Sequence, residues 1–212
     1  MKNIILTTIL SLTLINIYGQ EPAQIVVPSH NDKYSKYVQM LENGETDIDY
    51  QDFRFSFLES DQFVIASKSK DLDNLKKQMY AEMDKSNYKE IISITQKMLS
   101  IDYTNMLAHK ILGQTYNILG DTLNAQKYNT IQFGLLHSII DKGDGKTCKT
   151  AWTVIQVSEE YFILNMLEAK VIMQSIYNKK GFCDKINVVV KGKMKTYYFE
   201  ISKVFEGYKK NG

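Results

Sequence analysis

The sequence predicts an α+β protein in which stacked helical hairpins are followed by a small antiparallel β-meander. Three observations predict this fold class. No proline occurs between Asp32 and Ile140, and the apolar residues there recur at helical spacing. Two segments starting at Leu72 and Met106 align with each other at an interval of 34 residues. After Lys142, runs of β-branched and aromatic residues alternate with glycine-containing turns.

Residues 1–19 are typical of a secretory signal peptide. Lys2 gives a basic start, Ile4 to Ile17 is a mainly apolar stretch, and small Gly19 precedes the expected cleavage point. The apolar stretch is shorter than the ~20 residues that span a bilayer. We therefore expect an exported protein, periplasmic or extracellular, without a stable membrane span after cleavage. Residues 20–31 contain both prolines and predict a flexible lead-in.

Composition argues against a nucleic-acid partner. The 26 basic and 24 acidic residues leave a formal charge of +2, too balanced for electrostatic binding of a polyanion. Arg54 is the single arginine of the chain, whereas bidentate recognition of phosphate or guanine favours arginine.

The helical region is predicted over residues 32–142. In its first part, Asp49 could cap a second helix, and the apolar stripes of the two helices indicate core rather than a ligand cage. The stripes comprise Tyr34, Tyr37, Val38 and Leu41, then Tyr50, Phe53, Phe57 and Leu58.

The 34-residue alignment predicts two helix–turn–helix units. Ser86-Asn87-Tyr88 aligns with Gly120-Asp121-Thr122 as an inter-helix turn. The second unit carries Leu112-Gly113 and Tyr116, followed by Ala125, an order that resembles the tetratricopeptide repeat. Small Gly113 and Ala125 would allow one helix to cross its partner closely. A plain bundle of helical hairpins is the alternative.

Residues 143–212 are predicted as an α/β region whose meander packs on the helices. The polar loop Gly143–Thr147 precedes a strand, and Ser158, Glu159 and Glu160 have the character of a helix start, with a capping hydroxyl and acids in the first turn. The predicted strands are 152–157, 171–177, 182–190 and 195–201.

Two cysteines remain after signal cleavage. Cys148 and Cys183 could pair in an oxidising compartment, or could be two separate thiols. Their spacing lacks the paired C-x-x-C or histidine pattern of a metal site.

No motif for catalysis, metal or cofactor binding is recognised, so we expect neither an enzyme nor a bound cofactor. Gly145-Lys146-Thr147 imitates the end of a phosphate loop, but Ile140 stands where that motif needs glycine. The histidines, His30, His109 and His137, are isolated from one another. Adjacent Glu159 and Glu160 point about 100° apart on a helix, so they are explained as helix-start acids rather than as an acid pair.

The tetratricopeptide resemblance implies a ligand groove along the first helix of each unit. Its usual contact positions are the fifth, ninth and twelfth, which here give Lys76, Lys110, Tyr80, Gln114, Met83 and Asn117. Two lysines with neighbouring amides could hold a carboxylate or an acidic peptide. The alternative is a solvated helix face in a lysine-rich chain.

Several longer segments together resemble a family of exported bacterial proteins of unknown function with tetratricopeptide-like helices. The segments are 49–54, 100–106, 143–147, 151–155 and 159–167. The resemblance covers nearly all of the mature chain and implies no activity. Cys148 departs from the residues usual in that loop.

We therefore expect a protein- or peptide-binding module of the bacterial cell envelope. The alternatives are an envelope hydrolase with a site at the helix–sheet junction and a structural subunit of a surface assembly. A cleft with close, perturbed titratable groups would favour the first, and a large exposed apolar patch would favour the second.

Overall fold

The computed structural model describes residues 24–178 and 182–210, and over these residues the predicted α+β class is confirmed. The helices in chain order are α1 (Lys33–Glu42), α2 (Tyr50–Leu58), α3 (Asp61–Lys68), α4 (Asp71–Asp84), α5 (Tyr88–Ile101), α6 (Met106–Ile118), α7 (Thr122–Ile140), α8 (Val157–Met166) and α9 (Ser202–Lys210). The strands are β1 (Trp152–Thr153), β2 (Lys170–Tyr177), β3 (Cys183–Val190) and β4 (Lys193–Glu200). The predicted signal peptide and the start of the lead-in lie outside the described residues.

Helices α2 and α3 both begin at a side-chain cap. Asp49 caps α2 as predicted, its carboxylate accepting a hydrogen bond from the Asp52 N–H at 3.0 Å. Phe53 of α2 lies in the core and stacks on Tyr34 of α1, with ring centroids 5.5 Å apart. Helix α3 was not predicted, although Ser60 caps it by accepting from the Phe63 N–H.

The two inter-helix turns, 85–87 and 119–121, lie where the 34-residue alignment places them and share their hydrogen bonds. The residue at the apex has positive φ in both, 54° at Ser86 and 79° at Gly120. In each turn the next N–H donates to the carbonyl five residues earlier over 3.0 Å, in the pairs Asn87–Glu82 and Asp121–Tyr116. Consecutive helices from α4 to α7 pack against one another, so the connections of α4–α5 and α6–α7 are equivalent.

The second hairpin is packed more closely than the first. A Cβ added at Gly113 would lie 2.5 Å from Oδ1 of Asn129, so α6 and α7 approach closely at this glycine. The aligned position in α4 is Met79, the one residue that this helix buries fully. Most of the surface of α4 is therefore free of the core.

The C-terminal sheet has the strand order β1-β4-β3-β2. β2, β3 and β4 form the expected antiparallel meander, but the sheet is not purely antiparallel, because β1 runs parallel to β4 with Trp152 opposite Phe199. β1 arrives from the helical layer rather than from a hairpin, which explains its direction.

The segment predicted as a strand from Trp152 to Val157 is a strand for two residues only. From Thr153 onward, backbone groups form hydrogen bonds with side chains. Arg54 donates to the Thr153 carbonyl, and Glu159 accepts from the Ile155 N–H. Helix α8 then begins at Val157, and its N-cap is Gln156 rather than Ser158. The predicted Ser158 cap is therefore wrong.

A single hydrophobic core joins the helices to the sheet. It includes Phe53, Leu112, Phe162, Ile186 and Phe199, and the meander packs on the helical layer through it. Cys148 and Cys183 form a disulfide with Cα atoms 5.9 Å apart, which ties the loop before β1 to the start of β3. Within the described residues, no helix has the length and apolar character of a membrane span.

Candidate functional site

A cavity of about 350 Å³ opens between α4, the connection from α5 to α6, and α8. Lys76 and Tyr80 of α4 form one wall, and Tyr161, Phe162 and Asn165 of α8 form the opposite wall. Both tyrosines are exposed, 45% for Tyr80 and 39% for Tyr161. An aromatic side chain on each wall provides contact area for a ligand at low entropic cost.

Only part of the predicted ligand set lines this cavity. Lys76 and Tyr80 do so, as the groove hypothesis requires. Lys110 instead turns towards α8, where its ammonium lies 3.4 Å from the Met166 sulfur and 6.0 Å from the centre of the Phe162 ring. Gln114 and Asn117 are exposed residues of α6 outside the cavity lining, and Met83 is an exposed residue of α4 outside it.

Helix α8 is the reason that Lys76 lines the cavity and Lys110 does not. It packs on α6 and covers the face that carries Lys110. The groove predicted along both first helices is therefore partly filled by the chain's own α8, and the open remainder lies between α8 and α4. Sequence spacing places Lys76 and Lys110 on equivalent positions but contains no signal that a later helix separates them.

The floor of the cavity is a buried carboxylate with a complete set of donors. Asp102 Oδ1 accepts from the Thr104 N–H (2.9 Å) and hydroxyl (2.6 Å), and Oδ2 accepts from the Gln156 amide at 3.0 Å. Burial nevertheless raises the pKa of Asp102. The same bonds join the end of α5 to the start of α8, which fixes the two sides of the cavity relative to each other.

A buried ion pair anchors the start of α8. Arg54 is 1% exposed, and its Nε and Nη2 donate to the two Glu159 carboxylate oxygens at 2.8 and 2.7 Å. Arg54 also reaches the Thr153 carbonyl and the Ser138 hydroxyl. The bidentate geometry uses the planar fork of arginine, which lysine lacks. The interpretation of Glu159 as only a helix-start acid missed this partner. The single arginine of the chain lies within an aromatic helix, and this position indicates that Arg54 needs a buried acid as its partner.

Glu160 lies in a second buried network. It is 0% exposed and faces Asp184 of β3, which is 7% exposed. Gln174 of β2 donates its amide to Asp184 at 2.6 Å and to Glu160 at 3.4 Å. Burial first and the neighbouring Asp184 second raise the pKa of Glu160 to about 8. The two adjacent glutamates are thus not mere helix-start acids, and neither Glu160 nor Asp184 lines the cavity.

A second cavity of about 400 Å³ adjoins the first on the side of α3. The two share Leu72 and Asp73 of α4 and the segment 156–158 at the start of α8. Its lining includes the apolar side chains of Phe57, Phe63 and Ala66. Together the two cavities form a continuous groove past the N-terminal ends of α4 and α8.

The remaining polar motifs are engaged within the fold. In the loop after α7, the Gly145 N–H donates to the Thr150 carbonyl and the Lys146 N–H to Asp144, so these amides have internal acceptors. His109 is buried, its Nε2 lies 2.8 Å from the Tyr103 carbonyl, and burial lowers its pKa to about 3. In the part of the chain that the structure describes, no group of three histidine, cysteine or acidic side chains could hold a metal ion.

Comparison with known proteins gives a family. A family model described as "Domain of unknown function (DUF4919)" matches residues 24–210. The chain belongs to the DUF4919 family. No curated protein matches the chain, and no solved structure matches it. The match covers the helices, the sheet and the groove between α4 and α8, so these features lie within one family domain.

Proposed function

We propose that this DUF4919 chain is an exported protein- or peptide-binding module of the bacterial cell envelope, and that its ligand lies in the groove between α4 and α8. The observation that carries the proposal is an open cavity with an exposed tyrosine on each wall, on the same face as Lys76. Pockets of this volume, with a few polar groups among aromatic side chains, are typical of ligand sites.

The tetratricopeptide-like interpretation belongs to this proposal. What supports it is the recurrence of the inter-helix turn after 34 residues, with the same left-handed apex and the same hydrogen bonds. In such arrays the first helices of successive units line a groove. Here α4 and α6 are those helices, and α8 occupies part of the groove much as a helical ligand would.

The charges of the site favour binding over acid–base chemistry. Asp102 is held by Thr104 and Gln156, and Glu159 by Arg54, so the buried acids that line the cavity already have structural partners. Exposed Lys76 and Asp73 lie three residues apart on α4 and both line the cavity. The ligand we expect is therefore an extended peptide with an aromatic or aliphatic side chain between the tyrosines and an acidic group near Lys76.

A peptide array tests the proposal. The mature chain is applied to synthetic peptides of varied acidic and aromatic content, and the strongest binder is measured in solution. Tyr80→Ala should weaken its binding by about thirty-fold, the effect of losing a tyrosine hot spot worth about 2 kcal/mol, and Lys76→Ala should weaken it less.

Lys77→Ala is the matched control, because Lys77 is an exposed neighbour on α4 that does not line the cavity. Equal binding by all three variants would refute the site, and an array without any binder would refute peptide binding.

A second candidate function is a structural subunit of a surface assembly. It is favoured by the edge strand β2, where Ile172 is 54% exposed and Ile176 58%. Exposed apolar edge strands are templates for pairing with another chain. Sedimentation of the mature chain should then show concentration-dependent oligomers that Ile176→Lys abolishes, whereas a monomer at all concentrations would remove this candidate.

A further inference from the structure

Two buried carboxyl groups face each other where α8 meets the sheet. Glu160 Oε1 is buried without a hydrogen-bond partner, and Asp184 lies within hydrogen-bonding reach of the Glu160 carboxyl. A buried polar atom without a partner costs free energy. A proton placed between the two carboxyls would give the unpartnered oxygen its bond.

The surrounding charges do not offer another solution. Glu159, the nearest acid on α8, is paired with Arg54 of α2, and Lys110 of α6 lies over Phe162 and Met166. Lys170 and Tyr177 of β2 and Lys185 of β3 lie on the opposite face of the sheet from Asp184. On β4, Lys193, Lys195 and Tyr197 share the face of Asp184, but they stand opposite Val190, Val188 and Ile186, and both lysines are exposed. Two negative charges that face each other in a buried site are strongly unfavourable. One of the two carboxyls therefore keeps a proton while α8 is packed on the sheet.

This pair is connected to the wall of the cavity through one amide. Gln174 donates its Nε2 to Asp184 and Glu160, and its Oε1 accepts from the Tyr161 hydroxyl at 2.8 Å. Because the amide has one donor end and one acceptor end, its orientation is set by the carboxyls and in turn sets the direction of the tyrosine.

We propose that Glu160 and Asp184 share a single proton and that this proton, through Gln174, fixes α8 and the Tyr161 wall of the cavity. Loss of the proton leaves two negative charges in a site without a countercharge. The strain is relieved when α8 separates from the sheet and Glu160 reaches water. The groove is then a proton-linked site whose open form becomes more populated as the pH rises from neutral to alkaline values.

The magnitude follows from linkage. In the folded chain the pKa of Glu160 is about 8, and in the opened state it returns towards its ordinary value of 4.5. Between pH 6 and pH 8 the equilibrium constant for opening α8 should therefore rise roughly fifty-fold. The consequence for ligand binding rests on the proposed function, but the opening itself does not.

Hydrogen exchange of the oxidised mature chain without ligand measures this opening. After correction for the intrinsic pH dependence of exchange, amides of α8 should lose protection by roughly fifty-fold between pH 6 and pH 8, while those of α7 should change little. Glu160→Gln removes the titrating group and should abolish the change. Glu90→Gln, an exposed acid of α5, should behave as the wild type.

Asp184→Asn provides a second variant. It removes the neighbouring negative charge but leaves Glu160 buried, so the loss of α8 protection should become smaller than in the wild type without disappearing. If the Glu160→Gln chain does not fold, the proposal is tested by Asp184→Asn and by comparing the protection of α8 with that of α7 in the wild type. Constant protection of α8 between pH 6 and pH 8, a loss that persists in Glu160→Gln, or an undiminished loss in Asp184→Asn would overturn the proposal. Because no ligand is present, failure of the peptide array would leave this result unaffected.

Discussion

Removing Arg54 should destabilise the chain far more than removing a surface lysine. In Arg54→Ala the Glu159 carboxylate, 3% exposed, loses the 2.8 and 2.7 Å bonds and keeps only the Ile155 N–H. An uncompensated buried charge costs about 3–5 kcal/mol. We therefore expect the free energy of unfolding to fall by about that amount.

The assay is urea unfolding of the oxidised mature chain, followed by the fluorescence of Trp152, the single tryptophan, which is buried beside Tyr197 and Phe199. The double variant Arg54→Met/Glu159→Gln removes both charges and keeps an acceptor for Ile155. It should recover most of the loss, since a buried pair replaced as a unit is often nearly neutral.

Lys33→Ala serves as the comparison, because Lys33 forms an exposed pair with Asp52 at 2.6 Å. That pair should contribute less than about 1 kcal/mol. An Arg54→Ala cost as small as this, or a double variant whose cost equals the sum of the Arg54→Met and Glu159→Gln single costs, would refute the buried-pair interpretation.

Three further predictions concern stability. Replacing Cys148 and Cys183 by serine should cost about 4 kcal/mol, the loop-closure value for a separation of 35 residues, and reduction of the wild type should lower the urea midpoint equally. Gly134→Ala should cost about 1–3 kcal/mol, because its Cβ would lie 2.3 Å from the Tyr50 ring, and Tyr50→Leu in the same chain should return part of it. Glu160 binds a proton up to about pH 8 when folded but only up to about 4.5 when unfolded, so its contribution to stability should fall between those values by about 1.4 kcal/mol per pH unit and stay constant above pH 8. A Glu160→Gln chain whose stability falls with pH as steeply as the wild type would contradict this assignment.

The helix caps and inter-helix turns could be predicted from the sequence because they depend on local residue patterns. The Asp49 cap and the turns at Ser86 and Gly120 depend on neighbouring residues and on the helical period, and all of them are where the sequence places them. Helices α3 and α9, of 8 and 9 residues, were not predicted; each spans little more than two helical turns.

The candidate site depends on contacts that no local pattern contains. Arg54 and Glu159 are 105 residues apart, and Glu160 meets Asp184 only after the sheet has packed on α8. The parallel pairing of Trp152 with Phe199 is of the same kind. Lys76 lines the cavity because its position depends on the phase of α4 alone, whereas the position of Lys110 is set by the docking of α8.

Chemical-shift mapping tests the central proposal, peptide binding between α4 and α8, most directly. The isotope-labelled mature chain is titrated with the strongest peptide from the array. We predict that shift changes concentrate on the residues around Lys76 and Tyr80 and on the first half of α8, including Tyr161. Changes centred on the outer face of the sheet or on α7, with α4 and α8 unaffected, would contradict it.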